Sequence, residues 1–110
     1  MIKVIASDMD GTLLGENHRL DEQTLSVIHK AQDAGIRFIL ATGRNYDGAV
    51  NALGKLDARL TCDYLVGSGA EIRNPQREIV HRAELDKSLC EEIYERLKKY
   101  PVSVLFCTDK

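Results

Sequence analysis

Apolar and polar positions fall into blocks along this chain, and the blocks have the lengths of strands and helices. Ile2 to Ala6 is β-branched and nearly all apolar, which predicts a strand covered on both faces. After a polar loop at Gly15-Glu16-Asn17, Asp21 offers a helix N-cap, with Leu20 and Leu25 set as a hydrophobic staple around it. Leu25, Ile28 and Ala31 follow at helical spacing, Gly35 is a natural stop, and Ile36 to Ala41 is a second apolar strand. Residues 2–41 therefore read as a βαβ unit with parallel strands and a right-handed crossover.

Beyond it the pattern predicts a helix from Tyr46 to Leu56, weakened by Gly48 and Gly54. A third strand, Tyr64 to Val66, ends at Gly67-Ser68-Gly69, and Glu71-Ile72-Arg73 and Glu78-Ile79-Val80 flank Asn74-Pro75-Gln76-Arg77 as a hairpin. Leu89, Ile93, Leu97 and Tyr100 mark one face of a last helix. Ser88 with Glu91 fits a capping box at its start, with Asp86 the rival cap. Pro101 stops it, and Val102 to Cys107 reads as a further strand.

Composition adds little to this α/β picture but excludes several functions. The 110 residues suffice for one domain with a core, and 44% hydrophobic with 29% charged residues is an ordinary globular balance. Fifteen basic against seventeen acidic side chains give a net charge of -2, which offers no electrostatic case for nucleic acid or an anionic membrane. No apolar run approaches the roughly 18 residues of a membrane span, and the N-terminus lacks the sections of a signal peptide. Cys62, Cys90 and Cys107 are odd in number and without CxxC spacing, so they read as reduced thiols of a cytoplasmic protein. His18, His29 and His81 have no ligand spacing and read as surface or packing residues.

The chemistry concentrates at the strand ends, where parallel sheets bind ligands. The first strand runs into Ser7-Asp8-Met9-Asp10-Gly11-Thr12, the second into Thr42-Gly43-Arg44, the third into Gly67-Ser68-Gly69. In an extended chain residues i and i+2 point the same way, so Asp8 and Asp10 can face one site. Two carboxylates so close repel, and ask for a cation or for one acid held protonated. An ionised carboxylate can attack phosphorus, and a protonated neighbour can supply a leaving group with its proton. Hydroxyls, glycine amides and a guanidinium suit an oxyanion, and paired acids suit Mg²⁺. A DxDG stretch alone reads equally as a surface turn, but a strand before it and Thr42-Gly43-Arg44 one βαβ unit later favour a site. Ser68 reads as either an ordinary loop serine or a ligand contact.

These motifs, Ile-Ala-Ser-Asp8-Met-Asp10-Gly-Thr-Leu-Leu and Ile-Leu-Ala-Thr42-Gly-Arg44, resemble the haloacid dehalogenase-like (HAD) superfamily. More narrowly they are similar to its Cof-like subgroup, Mg²⁺-dependent phosphatases of sugar phosphates and related small metabolites. The resemblance implies a partial Rossmann-like parallel sheet with flanking helices over residues 1–82, and the beginning of an inserted α+β cap domain over 83–110. It implies Asp8 as nucleophile and Mg²⁺ ligand, and Asp10 as general acid/base with its carbonyl on the metal. Met9 would order the loop, Thr42 and Gly43 would hold the phosphoryl group, and Arg44 would contact substrate or phosphate.

Two departures accompany it. Relatives commonly carry Asn-Gly-Ala where this chain has Ser68-Gly69-Ala70. The family's later lysine and GDxxND motif are absent: Lys55, Lys87, Lys98 and Lys99 sit in predicted helices or their flanks, and Asp109-Lys110 is no substitute. The resemblance makes the first strand central in its sheet, so here it would be an exposed edge prone to self-association. The expectation is the N-terminal portion of a phosphatase, acting through an aspartyl-phosphate, or a chain completed by association, with Mg²⁺ loosely held when alone. Alternatives are a phosphosugar mutase and a non-catalytic remnant that binds phosphate or a partner. A response-regulator-like receiver is disfavoured by the DxDGT turn and by Thr42-Gly43-Arg44.

Overall fold

A computed structural model describes residues 1–108, so Asp109 and Lys110 lie outside the described residues. Five strands form one mixed sheet in the order β1 (Val4–Asp8), β2 (Arg37–Ala41), β3 (Asp63–Val66), β4 (Glu71–Arg73) and β5 (Ile79–Arg82). β1, β2 and β3 run parallel, and the β4–β5 hairpin returns antiparallel on β3. Between β1 and β2 lies α1 (Glu22–Asp33), whose cap is Asp21, accepting from the Thr24 amide at 2.7 Å. The staple residues Leu20 and Leu25 are both buried.

After β2, α2 (Tyr46–Leu53) is shorter than the pattern predicts. Gly54 adopts φ +63° there, and the chain tightens into a narrower helical turn over Gly54–Arg59. The core is one cluster running from Met9, Leu14, Leu25 and Ile28 through Phe38 and Leu40 to Leu53, Cys62, Tyr64 and Val66. All three cysteines are free thiols. Burial pushes the Cys62 thiol up to about 12, so it serves as a small packing group.

Three predictions need correction. The first strand begins at Val4 and is not covered on both faces: Val4 and Ile5 are exposed, and β1 is the edge of the sheet, as the resemblance had implied. An apolar run marks a strand, but it cannot say which neighbours cover it. The last helix, α3 (Lys87–Leu97), is capped by Asp86, whose carboxylate accepts from the Leu89 amide at 2.8 Å. Ser88 lies inside the helix, and its hydroxyl donates to the same carboxylate. Val102 to Cys107 forms no strand among the described residues, because a strand needs a partner ladder and none is offered there. α3 buries none of its residues, leaving its Leu89 and Tyr94 exposed.

Candidate active site

The parallel register aligns the site. Asp8 pairs with Ala41 and Ala41 with Leu65, so three strand ends lie level at one edge of the sheet. From that line emerge Met9 to Thr12, Thr42 to Arg44, and Gly67 to Gly69.

Met9 fixes the first of these loops. Its side chain is fully buried, while Asp8 and Asp10 on either side are exposed and extended, so both acids leave the core on the face opposite Met9. Gly11 then turns with φ +78°, a conformation that L side chains rarely adopt, and the Leu14 amide closes the loop on the Met9 carbonyl at 3.0 Å. This turn brings Thr12 back toward the strand end, and its hydroxyl donates to Asp8 Oδ2 at 3.2 Å. Sequence reasoning left Thr12 unassigned; its signal is the spacing of four residues across a glycine turn.

The second loop is held by its own threonine. Thr42 is buried, its amide donates to the Leu65 carbonyl at 2.9 Å, and its Oγ1 accepts from the Arg44 amide at 3.1 Å. The Thr42 hydroxyl thus shapes the turn through Gly43. The third loop clasps the second: the Gly67 amide donates to the Arg44 carbonyl at 2.7 Å and the Ser68 amide to the Thr42 carbonyl at 3.1 Å.

Arg44 reaches from the second loop to the first. Its Nε and NH2 donate to the two carboxylate oxygens of Asp10 at 2.8 and 2.9 Å, a bidentate pair. These hydrogen bonds, with the charge of Arg44, hold the Asp10 carboxyl below the usual carboxylate range and raise Arg44 in turn. Of the five site residues, the structure joins Asp10 to Arg44 and Arg44 to Thr42. Among the described residues the Asp8 carboxylate is hydrogen-bonded only to Thr12, and Gly43 lies against Ser68.

A hard cation fits part of this donor set. Among the described residues the Asp8 carboxylate accepts a single hydrogen bond and retains lone pairs at the strand end, whereas both Asp10 carboxylate oxygens are occupied by Arg44. Mg²⁺ takes one or two carboxylates and keeps several waters, so the Asp8 carboxylate suits such an ion as one ligand. Among the described residues, no group of three or more His, Cys, Asp or Glu could hold a metal. Nor is any helix among them long and apolar enough to cross a membrane.

Comparison with known proteins places the chain in a family. The haloacid dehalogenase-like hydrolase family matches residues 5–110. An HMP-PP phosphatase of Enterobacter sp. (strain 638) is 36% identical over 91 residues, covering 83% of this chain and 33% of that protein. A haloacid dehalogenase-like hydrolase from B. subtilis superposes with a TM-score of 0.77 at 26% identity, covering 89% of this chain and 34% of that one. A HAD subclass IIB sugar phosphatase superposes with a TM-score of 0.71 at 25% identity, over 88% of this chain and 37% of the other. The chain spans about a third of the length of the curated relatives it matches.

Proposed function

The chain belongs to the haloacid dehalogenase-like hydrolase family, in its Cof-like subgroup, and from that premise we propose that it carries the nucleophile half of a cytoplasmic phosphatase site for a small phosphorylated metabolite, with a sugar phosphate the favoured class. The observation that carries this reading is the register that sets Asp8 level with Ala41 and Leu65, so that the loops Met9 to Thr12, Thr42 to Arg44 and Gly67 to Gly69 leave the sheet at one end. Residues 83–110 then begin a second, capping unit.

In this reading the Asp8 carboxylate attacks phosphorus, and an Asp8–phosphorus bond forms as the ester P–O bond breaks. Asp10, protonated, gives its proton to the leaving oxygen. Water next attacks phosphorus while Asp10 takes back a proton, and the Asp8–phosphorus bond breaks to release phosphate. Thr42 and the open backbone at Gly43 orient the transferring group, since phosphoryl transfer depends on positioning and charge neutralisation. Mg²⁺ held by Asp8 and the Asp10 carbonyl would supply charge neutralisation at the phosphate oxygens.

Arg44 bears directly on the proton carrier. A carboxylate held ionised by a guanidinium cannot donate a proton, so Arg44 must leave Asp10, and a phosphate dianion is the natural competitor for it. Removing Arg44 is expected to return the Asp10 carboxyl toward its ordinary range. Carbon-13 NMR titration should find Asp10 titrating at higher pH in Arg44→Ala than in the wild type; an unchanged titration would break the pairing. The sign for stability follows. A depressed carboxyl contributes stability above its unfolded pKa and loses it as pH falls through the folded value, so Arg44→Ala should flatten the acid side of the stability profile.

The reading as a whole is tested by assaying phosphate release from a panel of sugar phosphates with Mg²⁺ present. Release supports a hydrolase, interconversion of sugar phosphates without release indicates a mutase, and silence in both favours a binding role.

A further inference from the structure

Ser68 carries a feature that the proposed chemistry leaves unused. It sits at φ +56°, ψ +33°, in the left-handed region, between Gly67 at φ +58° and Gly69 at φ +96°. Three consecutive residues with positive φ make a tight concave loop. Glycine adopts this conformation freely, but serine does so at a conformational penalty. The penalty is imposed by the surroundings. The Gly67 and Ser68 amides are both committed to the second loop, and the Ala70 amide donates to the Gly67 carbonyl at 3.1 Å. From the other side the Ala83 amide donates to the Ala70 carbonyl at 2.7 Å. Backbone strain held in this way collects at functional sites.

The hydroxyl faces the second loop. A Cβ built on Gly43 would stand 3.4 Å from Ser68 Oγ, so the hydroxyl borders the space that Gly43 leaves open by having no side chain. It makes no hydrogen bond among the described residues, and the side chain is exposed. A glycine at 68 would satisfy the backbone better, and what the serine adds is this unpaired donor beside Thr42-Gly43.

We propose that Ser68 is a binding residue of the site, its hydroxyl donating to an oxygen of the bound phosphoryl group. This rests on the phosphatase reading and extends its anion cradle from the second strand end to the third. Thr42 and Gly43 then approach the phosphoryl group from one loop and Ser68 from the next. The left-handed backbone is what turns the Ser68 side chain toward Gly43.

Two variants separate binding from backbone strain. Ser68→Gly removes the hydroxyl and the conformational penalty together, whereas Ser68→Ala removes the hydroxyl and keeps the penalty. Calorimetric titration with inorganic phosphate in the presence of Mg²⁺ is expected to give binding about tenfold weaker in both variants, the loss of one hydrogen bond to a charged oxygen. Thermal melting should find Ser68→Gly at or above the wild-type midpoint, so that weaker binding cannot be ascribed to a damaged fold. Wild-type phosphate affinity in both variants, with ester hydrolysis intact, would overturn the Ser68 assignment alone. A wild-type protein that neither binds phosphate nor releases it from any ester would remove the phosphatase reading and this inference with it.

Discussion

Asp8→Asn is expected to lower phosphate release by about 10⁴-fold or more, the scale of losing a residue that bonds to the reacting atom, while the melting temperature stays at the wild-type value. The two halves of this result have separate causes. Asparagine keeps the shape of the side chain but has no anionic oxygen to attack phosphorus, so the covalent step loses its nucleophile. The fold scarcely registers the change, because Asp8 is exposed and its side chain makes one bond, to Thr12 at 3.2 Å. The strand is held through the backbone, where Asp8 pairs with Ala41 whatever its side chain. Asp10→Asn should cost less, about 10² to 10⁴-fold, as expected for a proton carrier. A rate for Asp8→Asn within tenfold of the wild type would move the nucleophile elsewhere.

The gathering of the Asp8 and Thr42 loops at one end of the sheet was legible in the sequence because strand ends are. An apolar run stopping at Asp8 and another stopping at Thr42 suffice to bring both loops to one edge once the strands are parallel. The partner chosen by Arg44 was not legible. A guanidinium at a strand end faces both a phosphate site and the acid 34 residues before it, and composition cannot rank two acceptors within reach of a long side chain. The expected covering of the first strand on both faces and the expected strand at Val102 to Cys107 failed for another cause. Both depend on what lies alongside, and hydrophobic pattern reports only a segment's own preference. Ser68 stands between these cases. Its residue type was visible, but its left-handed backbone and its contact with Gly43 come from the clasp between two loops far apart in sequence.

Arg77→Ala is expected to destabilise the protein by about 3 kcal/mol, the lower end of the range for breaking a largely buried ion pair. Arg77 stands in the β4–β5 turn, yet it belongs energetically to the segment after α2. Its NH1 donates to Asp57 Oδ2 at 2.7 Å and to the Tyr46 hydroxyl at 3.1 Å, and its NH2 donates to the Asp57 carbonyl at 2.9 Å. The guanidinium also stacks 4.8 Å from the Tyr64 ring centre, and the Tyr64 hydroxyl donates to Asp57 Oδ1 at 2.9 Å. Asp57 is only 8% exposed, so the substitution leaves a buried carboxylate with a single neutral donor. Burial alone would push the Arg77 guanidinium down, but the bonds from Asp57 and Tyr46 outweigh it and raise it above its ordinary value. The side chain of Arg77 keeps 27% exposure, and water reaching the gap sets the loss at the lower end of the range. Removing both charges in Arg77→Ala/Asp57→Ala should therefore cost less than the two single losses added, by about 1–3 kcal/mol of coupling. Urea titration of the four proteins measures this cycle. Additive losses would mean that Arg77 acts through the turn backbone and not through Asp57.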